Sequence, residues 1–472
     1  MRMRSVTAIV IAAVVGILVP AQQVAASPSH HPHPIRFTPG AAGSGDPYFP
    51  DMGNGGYDVS HYDIAIDFDP GTHAISATTR IDARATQNLS RFDLDFLGPL
   101  TISRLTVDGH SAPFTRTGAQ ELVITPRHGL RKGREFSVSV SYSGVPQKFD
   151  DPTLGVSGWV ATSGGAVSLN QPFGAATYYP VNDSPRDKAT YRQTVTVPTG
   201  LTVLGNGEPG RTTTKHGRTT FVWQQNQPMA SELASIAIGH YTVTTGKIGR
   251  LPNITAIGTA IDTVPGQDAL FNRTTAAVIR WESSIFGRYP FGSTGGLIDT
   301  IGVDYALEVQ SRPVYDQQTS EVDGDLLAHE LGHQWFGDSL TPVHWSDIWL
   351  NEGFATYSEW LWQEKFQHTP VQQNFDETYA GTRNWNGKVA DPGRDHIFDS
   401  LVYNRGAMTL HQLRAVIGDR AFFQVLRKWP DQHRYGNVST TDFIRFVEKL
   451  THRNLAAFFT SWLYSEGKPP LH

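Results

Sequence analysis

Residues 329–333 read His329-Glu330-Leu331-Gly332-His333, and residues 349–355 read Trp349-Leu350-Asn351-Glu352-Gly353-Phe354-Ala355. Positions i and i+4 of a helix share one face, so a helix here sets His329 and His333 side by side. Two imidazoles so placed can hold one zinc ion. Glu330 then stands where its carboxylate reaches a water on the metal rather than the metal itself. Eighteen residues separate His333 from Glu352, which would arrive from a second helix as third ligand. Three protein ligands leave the fourth position for water, the arrangement of a catalytic site. The chain has no Cys, which excludes a closed thiolate site. The bland alternative is a pair of core or surface histidines on an amphipathic helix.

The flanking residues supply the helical context. Ser320 can cap a helix, with Glu321, Asp323 and Asp325 in its first turns, where acids suit the helix dipole. Leu326, Leu327, Leu331 and Trp335 make an apolar surface, and Gly337 and Pro342 stop it. A helix is therefore expected over 320–337, and a second, carrying Glu352, over 347–367. Helical patterns also cover 268–286, 404–417, 419–428 and 440–450. Upstream, from Tyr57 to about Tyr241, short alternating segments such as Tyr62–Phe68, Phe136–Tyr142 and Thr194–Val197 are punctuated by Asp69-Pro70-Gly71 and Asp108-Gly109. That pattern predicts an all-β sandwich.

At 472 residues the chain is long enough for two or three domains. A formal net charge of −5 argues against a nucleic-acid binder, which usually carries a basic face. Arg2 and Arg4, the apolar run Val6–Val19 and the small residues Val24-Ala25-Ala26 read as a secretory signal cut before Ser27. Its removal would take the charge from −5 to −7, since it holds two positive residues and no acids. The run is short for a membrane span, and a retained anchor is the alternative. Residues 27–45, rich in Pro, Gly, Ser and His, read as a disordered leader, with His30, His31 and His33 on a solvated tail. The expected domains are then 46–245, an antiparallel β-sandwich, and 246–472, mostly helical after a few strands.

Val303–Val309 has the look of an edge strand, which can pair with a substrate backbone. Glu308 at its end could bind a peptide's free amino group, or be an ordinary solvated strand residue. Tyr403, in Leu401-Val402-Tyr403-Asn404-Arg405-Gly406-Ala407, could donate a hydrogen bond to an oxyanion, or be an ordinary aromatic at a helix start. His344 and His411 read as structural.

Taken together these residues resemble the gluzincin aminopeptidases related to aminopeptidase N. The zinc motif and Trp349–Ala355 match that pattern, as do Gln171-Pro172, Tyr179–Pro185, Lys188–Tyr191, Pro228-Met229-Ala230, Gly239-His240-Tyr241, Phe286–Phe291 and Tyr403–Ala407. The resemblance implies an α+β multidomain protein with a thermolysin-like catalytic domain. It also implies one zinc ion per chain, held by His329, His333 and Glu352, with Glu330 as general base and Tyr403 as oxyanion donor. The substrate's ammonium would fall to Glu308, helped by Gln171, with Ala306 and Leu307 beside the first side chain and Leu169 a possible pocket wall. Two departures stand out. The family's Gly-x-Met-Glu-Asn becomes Tyr305-Ala306-Leu307-Glu308-Val309, and Gln171 stands where a second amine-binding Glu is common. The expected protein is a secreted aminopeptidase acting on peptides with a free N-terminus. Alternatives are a thermolysin-like endopeptidase and a non-catalytic binding protein.

Overall fold

The computed structural model describes residues 7–13, 16, 35–317 and 323–471. The segment up to Arg36 separates from the folded unit Phe37–His472. Its described residues carry no helix or strand, and His30, His31 and His33 lie outside the described residues.

Alternation of apolar and polar residues builds the first half. In Tyr57–Asp69 the inward residues are Tyr57 and Val59, then Tyr62, Ile64, Ile66 and Phe68. The phase slips by one between Val59 and His61, where pairing with Ala74–Ala85 carries a bulge. Asp108 and Gly109 both take positive φ, 49° and 77°, and join Thr101–Val107 to His110–Ser111. Two such residues suit the tight turn whose twist matches a hairpin.

Three sheets result, of nine, five and four strands, rather than the two of a sandwich. The nine-stranded sheet is mixed, because Ala189–Pro198 runs parallel to Tyr57–Asp69. The four-stranded sheet begins earlier than expected. Thr38–Pro39 pairs with Leu89–Asp95, and the N–H of Gly40 donates to the carbonyl of Arg91. Residues 37–45, assigned above to the leader, are thus tied down by backbone hydrogen bonds. The expected boundary at 245/246 falls inside a strand: Tyr241–Ile248 pairs along its length with Leu251–Gly258. This hairpin opens a further five-stranded sheet, completed by Thr294–Asp299, Val314–Asp316 and the edge strand Ala306–Leu307.

Helices follow: α1 (Gln267–Phe286), α2 (Gly324–Gly332), α3 (Trp349–Trp362), α4 (Val371–Gly381), α5 (Ser400–Ile417), α6 (Asp419–Gln432) and α7 (Thr440–Thr451). All the expected helices are present, while α4 was not anticipated. Its sequence, with Val371 and Phe375 as its buried residues, carries too narrow an apolar stripe. One apolar core fills the β region and extends to Leu307 and Val309, and a second joins the helices and takes in Phe49 and Phe173.

The contact that sets the site is between α3 and α5. A Cβ on Gly353 would stand 2.9 Å from the Cα of Gly406, and one on Gly406 would stand 2.8 Å from the Cα of Gly353. Backbone meets backbone there, and no side chain can yield. Gly353→Ala should therefore lower stability. Ala improves helix propensity by about 1 kcal/mol, but wedging a methyl against rigid backbone costs about 1–3 kcal/mol. The second effect should win, and a urea midpoint equal to the wild type's would contradict this packing.

Candidate active site

Helix α2 is capped by Asp323, whose Oδ1 accepts from the N–H groups of Asp325 and Leu326, each at 3.0 Å. Ser320, expected as the cap, lies outside the described residues. The helix ends at Gly332, and the chain then turns through Gly337, at φ 135°, instead of continuing. His329 and His333 stand with ring centroids 4.9 Å apart. The outer nitrogen of each ring is engaged. His333 Nδ1 lies 3.1 Å from the carbonyl of Phe336, and a carbonyl only accepts, so Nδ1 carries the proton. His329 Nδ1 meets the carboxylate of Glu359. Both Nε2 atoms are thereby left with free lone pairs, as metal-binding histidines require.

Glu352 comes from the first turn of α3, and its Oε2 lies 3.4 Å from each Nε2. Ligand atoms about 3.4 Å apart suit a tetrahedral ion with bonds of about 2.05 Å. Glu352 Oε2 is buried and has no hydrogen-bond partner. A buried anionic oxygen aimed between two imidazole lone pairs fits a divalent cation.

Glu308, Glu330 and His333 form a second cluster, with one ligand atom of each within 4.8 Å of the others. Burial pushes the Glu330 carboxyl up, against the pull of His329 and His333, and its Oε2 is also unpartnered. Glu308 Oε1 accepts from Gln171 Nε2 at 2.6 Å, across a sequence separation of 137 residues. The edge strand before it is set by Asp316. That carboxylate accepts from the N–H groups of Ile301, Gly302, Val303 and Asp304 at 2.7–3.3 Å and pins the preceding loop.

Tyr403 lies in the first turn of α5, half-buried, its ring stacked 6.1 Å from that of His329. Burial, then the carboxylates of Glu352, Glu308 and Glu330, push its pKa well up, so the hydroxyl stays a donor. Ala306 is half-buried. Leu307 and Leu169, expected as pocket walls, are 2% and 1% exposed and pack into the β-region core instead. His411 shares its Nε2 with Gln372 Oε1, and burial lowers its pKa to about 4. His344 faces Asp46. Neither belongs to the site.

Two residues escaped the sequence reading. Glu359 lies seven positions after Glu352, two helical turns along the same face, a signal that the spacing contained. Lys188 is half-buried, and its Nζ donates to the carbonyls of Asp338 and Ser339 and to Thr341 Oγ1 at 2.8–3.1 Å. It joins the β region to the chain leaving the histidine helix.

The Peptidase M1 N-terminal domain matches residues 59–233, and the Peptidase family M1 domain matches residues 306–462. The solved M1 zinc metallopeptidase from Deinococcus radiodurans is 30% identical, with a TM-score of 0.83 over 91% of this chain and 98% of that one. A substituted form of it bound to a Tyr-Ser-Ala substrate matches with the same TM-score. Among curated relatives, a probable aminopeptidase 2 of Sulfurisphaera tokodaii is 25% identical over 445 residues, covering 88% of this chain. Aminopeptidase N of Lactobacillus delbrueckii subsp. lactis is 25% identical over 441 residues. The chain spans about half the length of these relatives, 54% and 51%.

Glu359→Ala should weaken zinc binding by roughly 10- to 100-fold, the usual effect of removing a partner that orients a ligating histidine. Competition against a chromophoric chelator measures this. An unchanged affinity would mean that Glu359 does not orient His329.

Proposed function

Because the chain belongs to peptidase family M1, we propose that it is a zinc aminopeptidase, releasing the first residue from peptides with a free N-terminus. We assign one zinc ion per chain to His329, His333 and Glu352, in a helical domain of thermolysin-like layout. When bound, zinc supplies Lewis acidity toward a peptide carbonyl and toward water.

This chain's own residues do the rest. Glu330 takes a proton from the attacking water and delivers it to the leaving amine nitrogen. Its burial favours the protonated state once it has accepted that proton. Tyr403 donates to the carbonyl oxygen as negative charge develops there. Glu308, with one oxygen already oriented by Gln171, takes the substrate's ammonium. The observation that carries the reading is the distance between these parts: a carboxylate fit to hold an amine lies within 4.8 Å of Glu330 and His333. So short a span leaves room for one residue between anchor and scissile bond.

We also propose export, supported by the charged and apolar N-terminal pattern read above. Among the described residues no helix is long and apolar enough to cross a membrane.

Glu330→Gln should keep zinc and lose nearly all turnover, and Tyr403→Phe should lower kcat by roughly 100-fold. Normal rates in either variant would remove that residue from the chemistry. The deciding assay pairs free-amine aminoacyl anilides with their N-acetylated forms, with and without a zinc chelator. Chelator-sensitive cleavage of the free-amine set alone is expected. Equal cleavage of the blocked set would identify an endopeptidase. For export, the extracellular form should begin at Ser27 by N-terminal sequencing, and an uncut intracellular product would oppose it.

A further inference from the structure

Gln334 follows His333 directly, is 0% exposed, and spends its side chain on the strand that carries Glu308. Its Nε2 donates to the carbonyl of Glu308 at 3.2 Å. Its Oε1 accepts from the N–H of Ser311 at 2.7 Å and from the hydroxyl of Tyr289 at 3.2 Å. Two backbone groups, three residues apart, are thus pinned by one amide. Between them the chain reverses, with the N–H of Arg312 donating to the carbonyl of Val309. Ser311 takes φ 70° in that turn, a left-handed conformation unfavourable for a residue with a Cβ. The bond to Gln334, together with one from the Gly207 N–H to Ser311 Oγ at 2.7 Å, holds it there.

We infer that Gln334 is a positioning residue that sets the spacing between the amine-binding carboxylate and the metal-binding histidines, and so sets how many residues are removed per cut. The inference rests on the aminopeptidase reading above. Glu308 projects from a backbone whose carbonyl is tied to the neighbour of His333. Freeing that tie lets the anchor drift relative to Glu330 and His333 while their own contacts persist.

The test is a double-mutant cycle on the zinc-loaded full chain. Gln334→Met keeps the volume and removes all three hydrogen bonds. Gln334→Glu keeps the acceptor for Ser311 and Tyr289 and serves if the first variant does not fold. Either should retain zinc. Gln334→Met should lower kcat/KM for free-amine anilides by roughly 100-fold, the scale of a 1 Å misplacement, and Gln334→Glu by less. In a Glu308→Ala background the same change should cost no more than about threefold, because there is no anchor left to misplace. An equal loss in both backgrounds, or full free-amine selectivity in Gln334→Met, overturns the inference alone. A wild type that cleaves free and N-acetylated substrates alike sinks the aminopeptidase reading and the inference with it.

Discussion

The closest approach of α3 and α5, at Gly353 and Gly406, is the constraint on which the site depends. One glycine directly follows Glu352, and the other comes three residues after Tyr403. Because neither carries a Cβ, the two backbones touch, and the touch brings a carboxylate and a phenol to the same imidazole. Phe336 and Phe354, stacked at 4.4 Å, extend the same seam toward α2. Each such buried ring adds about 1.5–3 kcal/mol of apolar stabilisation. The seam is therefore both part of the helical core and the frame that fixes the distances between the functional groups.

Electrostatics supply the second constraint. Three carboxylates and two imidazoles occupy one small, nearly dry volume. Each partner visible in the structure removes part of the cost: Gln171 for Glu308, Glu359 for His329, the carbonyl of Phe336 for His333. What remains unsatisfied is one oxygen on Glu330 and one on Glu352. Those two oxygens are the places where the proposed chemistry needs capacity, one for a proton and one for a cation. A fully satisfied cluster would be more stable and chemically idle.

Much of this was legible in the sequence, and the parts that were not have physical reasons. His329, His333 and Glu330 lie within a single helical turn, so local spacing reveals them. Glu352 sits one helix away and follows from a recurring interval. The hydrophobic period located six helices with their ends within about five residues of the observed ones. It failed where tertiary pairing decides. Thr38–Pro39 looks like a leader until Leu89–Asp95 is beside it, and the strand Tyr241–Ile248 crosses the expected domain boundary because its partner lies downstream. Alternation distinguishes inside from outside but does not count sheets, so three sheets read as two. Leu307 was placed by analogy at a pocket wall, whereas strand parity turns it into the core and leaves Ala306 on the open side. The pairing of Gln171 with Glu308 spans 137 residues, so local pattern does not disclose it, and the family resemblance alone brought the two together.

Lys188 links the two halves in a further way. Its ammonium reaches from the β region to three acceptors beside the histidine helix, while Arg312 reaches back to the carbonyls of Gly205 and Gly207. Prising the halves apart would break these five charge-assisted hydrogen bonds together, each worth about 1.5–3 kcal/mol. A hinge is the wrong picture for such a joint. The joint acts as a weld, so Gln171 on one side and Glu308 on the other share one rigid frame.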